Sequence, residues 1–406
     1  MKVLFISSYI KPHSGAGIIW RLKSGLENLG CQCYILSNNP FQHNEIIRPK
    51  LSYTQRSVQS LYRKTINRVI PSLYIPFSKT LIKSVKKIDP DIINIHWTHG
   101  QYPIPIHLLK YMSKSWPIVW SIHDMWPITG YCFFTFDCNR HYSGCGKCPQ
   151  LTNSYIPDFS KLYWKYKKRH YFKTNNLFIV AASRWLEKEL KESPLHDFKV
   201  FRIPYSENTQ LFKPYDKNKL RKTFDIPHNA KVVFILLKGD FRKGDDLIPE
   251  IFRELSLKIN NCYLLLGGYN KKIPSLLDNI ENLSYKFLGA IQDEKLLANC
   301  YSVADVFLTA TRADNMPLTV LESIASGTPV IASDVGGISD VVFHDKTGLL
   351  VEKNNISGFV FALEKLLNNK HKLKIMGQHC VDFANKNLHV QVQASKYMEL
   401  FQTIKK

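Results

Sequence analysis

Two acids, Asp314 and Glu322, stand eight positions apart in the segment Asp305–Gly337, DVFLTATRADNMPLTVLESIASGTPVIASDVGG. The segment reads as strand, loop, helix, turn and strand, with Asp314 in the loop and Glu322 on the helix. Pro317 suits a first helical turn, and the N–H groups just after it lack intrahelical partners. A diphosphate could dock there, at Leu318 and Thr319. One turn further on, Glu322 could accept two hydrogen bonds from a sugar diol such as ribose. Upstream, Lys238-Gly239-Asp240-Phe241-Arg242-Lys243-Gly244 follows an apolar run. Basic groups at a strand end can meet a diphosphate and stabilise the charge that grows on it as it leaves. A solvated basic turn is the plainer alternative.

Three further groups could do chemistry. Gly15-Ala16-Gly17 follows the first apolar run, Val3–Ile6, where absent Cβ atoms let backbone approach a ligand closely. His123 ends the run Ile118–His123, and His96 ends Ile92–His96. A lone histidine at a strand end is commonly a satisfied core residue. Cys132, Cys138, Cys145 and Cys148 cluster in YCFFTFDCNRHYSGCGKCPQL. Four thiols so close, with Gly144 and Gly146 turning the chain, suit a tetrahedral structural zinc site. Unpaired thiols and disulfides are the other readings, and disulfides fit a reducing compartment poorly.

The elements that must position these residues repeat a β-α-β rhythm. Lys2–Ser7 and Cys31–Ser37 read as strands about a helix, Ile18–Leu29, with Gly30 as its C-cap. Ile92–His96, Ile118–His123 and Leu177–Ala181 continue the series. The prolines and polar turns of residues 200–220 mark a domain boundary. Val232–Leu237, Tyr263–Gly267, Phe287–Gly289, Asp305–Thr309 and Val330–Ala332 then restart it, with helices at Pro317–Ser326, 357–378 and 390–403. The pattern predicts two doubly wound α/β domains.

The Asp305–Gly337 segment resembles the nucleotide-sugar site of family 4 glycosyltransferases. Their motif is Glu, seven residues, Glu, then Ala/Ser-x-Gly-x-Pro-Val-Ile/Val-Ala. Here Asp314 replaces the first Glu, while Ser326-Gly327-Thr328-Pro329-Val330-Ile331-Ala332 keeps the tail. Lys238 and Lys243 stand where the family has Arg, four residues, Lys-Gly, with Arg242 adjacent. Gly15 and Gly17 match the family's glycine loop beside the donor phosphates. The resemblance implies the GT-B fold, two Rossmann-like domains facing a central cleft. Residues 1–205 would bind acceptor and carry the Cys-rich insert at 130–150, residues 206–385 would bind donor, and 386–406 would cross back to the first domain. It also implies transfer with retention from a UDP- or GDP-sugar, with Glu322 on the ribose, Asp314 near the donor sugar, and His123 beside the anomeric carbon. Asp124 and His96 are the candidates for the acceptor pocket. Catalysis would need no metal, leaving zinc as a structural ion only. The cysteine insert resembles a subgroup feature of the family. The linker, with Tyr205, Ser206 and Asn208, departs from the family's Pro-Asn-Gly-x-Asp.

Composition sets the broader bounds. The chain has 406 residues, 45% hydrophobic and 22% charged, with mean hydropathy -0.19. This predicts a folded protein of about two domains without a membrane helix. The short apolar run at the N-terminus is no export signal, so the expected location is cytoplasmic, peripheral on the inner face of the membrane. The net charge is +22. Ten basic residues and no acidic one lie between Glu45 and Asp89. That asymmetry points to an anionic partner: an anionic membrane or a lipid-linked, phosphorylated glycan acceptor of surface polysaccharide assembly. Two alternatives stay open: a nucleotide-sugar epimerase of the same fold, and a nucleic-acid binder resting on charge alone. No nucleic-acid module is present to support the latter, so nucleic acid is not an expected partner.

Overall fold

The structure, a computed structural model, describes residues 1–12, 15–49, 57, 78–100, 103–151, 157–171, 174–270 and 272–405. The chain forms two units, Met1–Pro204 with Gln393–Lys406, and Tyr205–Val392.

In the first unit, β1 (Lys2–Ile6) is apolar on both faces, so it must be covered on both. Leu4 and Ile6 enter one core with Ile93, Ile95, Trp120 and Ile122. Val3 and Phe5 enter another with Leu22 and Leu26, and with Ala394, Tyr397, Leu400 and Phe401 of the terminal helix, Val390–Lys405. Truncating the fully buried Phe401 to Ala would cost about 3–5 kcal/mol. The remaining strands are β2 (Gln32–Leu36), β3 (Ile46–Ile47), β4 (Ile92–Ile95), β5 (Ile118–Ile122), β6 (Leu177–Ala181) and β7 (Val200–Arg202). All pair in parallel, in the order β3-β2-β1-β4-β5-β6-β7.

The second unit holds β8 (Lys231–Leu237), β9 (Cys262–Gly268), β10 (Leu283–Phe287), β11 (Val306–Thr309), β12 (Val330–Ser333) and β13 (Gly348–Val351). They too are parallel, ordered β10-β9-β8-β11-β12-β13. Each sheet therefore reverses its strand order once, between β1 and β4 and between β8 and β11. The crevice outside the carboxyl ends of such a pair is where doubly wound sheets take ligands. Among the described residues, no helix is long and apolar enough to cross a membrane.

Several element boundaries differ from the sequence reading. The strand expected at Phe287–Gly289 is Leu283–Phe287, an edge strand whose residues are at most half-buried, so its apolar signal is weak. Val200–Arg202 is a strand although it opens the segment read as linker. Gly348–Val351 is a strand the hydropathy pattern left unmarked. The first helix runs Gly17–Asn28 with Leu29 as C-cap, and Gly30 follows at φ 82°. Pro317 is itself the N-cap, and the helix is Leu318–Ala325. The expected helix 357–378 is two, Ile356–Leu367 and Lys370–Asn387, because the Asn369 side chain caps the second.

Candidate functional site

The second unit gathers its candidate residues at the β8/β11 switch point. Lys238 follows β8 directly and lines one pocket with Lys243, Asp245, Thr309, Ala310 and Thr319. The 238–244 loop is built by local hydrogen bonds. Asp240 accepts from the Arg242 N–H at 2.9 Å, and Asp245 Oδ2 accepts from the Gly239 N–H at 2.7 Å. Burial raises the pKa of Asp245 above the ordinary carboxyl value, opposed by its hydrogen bonds from the Gly239 backbone, the Asn270 side chain and the Lys238 backbone.

That loop is stitched to the loop after β11. The Arg312 N–H donates to Arg242 O at 2.7 Å, and its guanidinium to Phe241 O at 2.7 Å. The same guanidinium holds Asp246 through two bonds of 2.7 Å each, a fork geometry that fixes orientation as well as distance. Gly244 lies at φ 70° with its α-carbon against Ala310; a Cβ there would sit 2.1 Å from Ala310 O. Only glycine fits that contact and that backbone conformation.

Asp314 is the anchor of the basic pair. Its Oδ2 accepts from Lys243 Nζ at 2.6 Å and from Arg242 Nη1 at 2.9 Å. Burial pushes the Asp314 carboxyl up, but Lys243 and Arg242 outweigh it, and the pKa falls below the ordinary value. Behind it, Gly336 lies at φ 58°, where a Cβ would sit 1.6 Å from Asp314 O. Asp314 thus spends its charge on holding two cations at the pocket edge.

The helix Leu318–Ala325 begins at the same place. Its first internal bond is Val320 N–H to Pro317 O, 3.0 Å, so the Leu318 and Thr319 amides precede the helical ladder and suit an anion. Both residues are half-buried. Glu322 accepts from the buried Tyr301 hydroxyl at 2.8 Å. Burial lowers the Lys238 ammonium pKa, and Glu322 opposes that shift. Lys238, Arg242, Lys243, Asp314, Leu318, Thr319 and Glu322 therefore share one neighbourhood.

In the first unit the strand ends carry histidines. His96 follows β4 and His123 follows β5, and His96 Nδ1 lies 2.8 Å from His123 Nε2. The rings of Trp97 and His123 stack at 3.9 Å. Burial pushes the His96 pKa down to about 3. His123 is also driven well below its ordinary value by burial, with His96 and His99 adding to it. Asp124 accepts from the Trp126 N–H at 2.9 Å and stands 3.2 Å from His99 Nε2. The glycine loop takes ordinary backbone conformations at both glycines. Gly15 faces open space, whereas at Gly17 a Cβ would meet Pro12 O at 2.6 Å, and neither takes a positive φ.

Cys132, Cys138, Cys145 and Cys148 line a single pocket with His141. All four are free thiols. Left-handed backbone at Gly144, Cys145, Gly146 and Lys147 makes the turn, and the Gly130 N–H donates to Cys145 Sγ at 3.1 Å. Among the described residues, no three His, Cys, Asp or Glu side chains stand ready to hold a metal ion. The basic run 48–87 lies largely outside the described residues. Its described end, the helix Ser78–Ile88, buries Leu81, Ile82 and Val85 and exposes Lys79, Lys83, Lys86 and Lys87.

Sequence reading missed Asn94, His99, Tyr301 and Arg312. Arg312 and Tyr301 act by holding other site residues, and only their position near the quoted motifs could have marked them.

Comparison with known proteins agrees with this geometry. Residues 17–206 match the profile of Glycosyltransferase Family 4, and residues 216–380 match Glycosyl transferases group 1. The chain is 26% identical over 386 residues to N-acetyl-alpha-D-glucosaminyl L-malate synthase of Bacillus anthracis, covering 91% of this chain and 87% of that protein. It is 26% identical over 277 residues to WcaC of Escherichia coli K12, named for colanic acid biosynthesis, covering 62% of each. Among solved structures, sucrose-phosphate synthase of Thermosynechococcus elongatus superposes with a TM-score of 0.73 at 18% identity, covering 100% of this chain and 99% of the other. HepE of Anabaena, solved in complex with UDP, superposes with a TM-score of 0.69 at 15% identity, covering 99% and 100%. Two parallel α/β units and two adjoining family matches lead to one conclusion: the chain is a glycosyltransferase enzyme of the GT-B fold and belongs to family 4.

Proposed function

We propose that the protein transfers a sugar from a nucleoside-diphosphate sugar to a glycan or lipid-linked acceptor, with retention of anomeric configuration. The observation that carries this reading is the joint placement of Lys238, Lys243 and Thr319 around one pocket at the β8/β11 switch point. Lys238, Lys243 and the Leu318 and Thr319 amides take the diphosphate, and Glu322 takes the ribose diol. HepE, a structural neighbour, has been solved with UDP-glucose, which supports a donor of this class.

In the transfer, the bond from the anomeric carbon to the diphosphate oxygen breaks as the bond to the acceptor oxygen forms. The acceptor's proton goes to the departing diphosphate. The sugar passes through an oxocarbenium-like state, so the protein's contribution is to stabilise the diphosphate's charge and to position both partners. His123 is assigned to the sugar, Asp314 to holding the cations, and His96 and Asp124 to the acceptor side. Gly15 and Gly17 lie in the loop assigned to the donor phosphates.

The acceptor is assigned to surface polysaccharide synthesis, a reading supported by the likeness to WcaC. The exposed Lys79, Lys83, Lys86 and Lys87 suit an anionic membrane surface, at about 1 kcal/mol each. We also propose that the thiol pocket holds one structural zinc, which would draw the four sulfurs to about 2.3 Å from the ion.

The test is product analysis. Incubation with UDP- and GDP-sugars and a glycan acceptor should yield a glycoside with the donor's anomeric configuration and free nucleoside diphosphate. An altered nucleotide sugar released without acceptor would make the protein an epimerase and refute the transfer reading.

A further inference from the structure

Three crevice loops of the second unit meet on one guanidinium. Arg312, in the loop after β11, is buried. Its Nε donates to Asn354 Oδ1 at 2.8 Å, in the loop after β13. Its Nη1 donates to Phe241 O and to Asp246 Oδ1, and its Nη2 to Asp246 Oδ2, each at 2.7 Å. The Phe241 ring lies over the cation, its centre 4.1 Å from Arg312 Cζ. An aromatic ring therefore covers one face of the cation while its edge meets oxygens of three residues. A planar fork satisfies that arrangement, whereas a lysine ammonium is a point charge that cannot span it. The hydrogen bond from Arg312 holds the Asp246 carboxyl below its ordinary value.

The partners stand either side of Lys243. Phe241 precedes it and Asp246 follows it, and between them the chain turns at Gly244, φ 70°. From that turn Lys243 Nζ reaches Asp314 Oδ2 at 2.6 Å. The turn is also held by its backbone: Arg242 O accepts from the Arg312 N–H at 2.7 Å and from the Thr311 hydroxyl at 3.0 Å. Those two donors remain when the Arg312 side chain is changed. What the guanidinium adds is a fixed separation between the two ends of the turn, and so a fixed origin for the Lys243 side chain.

We propose that Arg312 is a positioning residue for donor binding: its side chain clamps Phe241 and Asp246, and thereby presents Lys243 to the diphosphate. This rests on the reading that Lys243 takes the diphosphate. Arg312 acts through Lys243 rather than on the donor itself. The shape of the cation matters more than its charge, because only the fork holds both ends of the turn.

The test is a double-mutant cycle on nucleotide affinity, read by calorimetric titration of the full-length protein with UDP and with GDP. Arg312→Lys keeps the charge and removes the fork. It should weaken the nucleotide that binds by about tenfold, as should Lys243→Met. The double variant should be no more than about twofold weaker than either single one, because both changes remove the same contact. An additive loss of about a hundredfold would make the two residues independent and overturn the proposal. So would a lowered Tm in Arg312→Lys with nucleotide affinity unchanged, since the residue would then serve the fold alone.

Amide hydrogen exchange of the free protein gives a second reading that needs no ligand. The Lys243 N–H donates to Asp240 O at 2.8 Å and the Gly244 N–H to Phe241 O at 3.2 Å. Both should exchange at least about tenfold faster in Arg312→Lys, with the amides of Val306–Thr309 at the wild-type rate. Unchanged exchange in the turn overturns the proposal. If Arg312→Lys does not fold, Asp246→Asn, which weakens the fork and leaves Arg312 in place, is read in the same way. A wild type that binds neither UDP nor GDP refutes the proposed function, and the exchange rates then decide by themselves whether Arg312 fixes the turn.

Discussion

Lys243 Nζ and Asp314 Oδ2 lie 2.6 Å apart, and the Arg242 guanidinium reaches the same oxygen at 2.9 Å. Asp314 thus holds both cations at the pocket edge, and Asp240 flanks Arg242 from the other side, with its Oδ2 3.5 Å from Arg242 Nε. Lys243→Met should lower nucleotide-sugar affinity by about tenfold, equivalent to about 1.4 kcal/mol, with the fold intact. Asp314→Asn should act in the same direction, because the cations lose the group that orients them. Calorimetric titration of both variants checks this; unchanged affinity in both would remove the pair from the donor site.

Tyr301 is buried and donates to Glu322 at 2.8 Å. Tyr301→Phe keeps the packed ring and removes only the hydroxyl. Donor affinity should fall roughly threefold to tenfold through a less ordered Glu322, the range for a hydrogen bond to a charged group that is half-exposed. The change should appear in KM for the nucleotide sugar, with kcat at saturation near wild type. A fall in kcat alone would place Glu322 elsewhere than on the ribose.

Gly244 carries the contact between the two phosphate-side loops. Gly244→Ala adds a Cβ 2.1 Å from Ala310 O at φ 70°. Either the loop shifts, carrying Lys243 off Asp314, or the strain is borne at a cost of about 1–3 kcal/mol. Loss of nucleotide affinity together with a lowered Tm is expected. A variant of unchanged stability and affinity would contradict the packing described.

The buried histidines give a pH dependence of definite sign. His96 is held at about 3, against 6.5 in the unfolded chain, and His123 well below its ordinary value. The unfolded state therefore binds more protons as pH falls from about 6.5, and stability falls with it, by up to about 1.4 kcal/mol per pH unit for each group. Urea unfolding at pH 7 and pH 5 measures the slope. His96→Asn should flatten it; a wild type equally stable at both pH values would be inconsistent with neutral, buried rings.

The thiol pocket is expected to carry about one zinc per chain, and chelation should lower Tm. Elemental analysis of the purified protein measures this directly. A folded, zinc-free preparation whose Tm is unmoved by added zinc would refute the structural metal.

What the sequence made legible follows from the physics of each element. Strands buried on both faces, such as Val3–Ile6, announce themselves as apolar runs, and their carboxyl ends locate Lys238, His96 and His123 directly. The motif around Asp314 and Glu322 was readable because a strand, a helix start and a glycine turn must follow at fixed spacing. The edge strand Leu283–Phe287 and the short Val200–Arg202 were misread or missed because half-buried strands carry little apolar signal. Arg312, Tyr301 and Asn94 were invisible for another reason. Each acts through partners distant in sequence, Arg312 with Asp246, Tyr301 with Glu322, and Asn94 with Val119 and Ser121, and a contact of that kind exists only once the sheet order is known.

The most direct test of donor binding at the β8/β11 switch point is a thermal-shift titration of the full-length protein with UDP, GDP, CMP and their common sugars, beside Glu322→Ala. One nucleotide class should raise the wild-type Tm, by about 2.7 kcal/mol of stabilisation at 100-fold its Kd, and the variant should respond at least about tenfold more weakly. No shift from any nucleotide sugar, or an equal shift in Glu322→Ala, would contradict the assignment of this site.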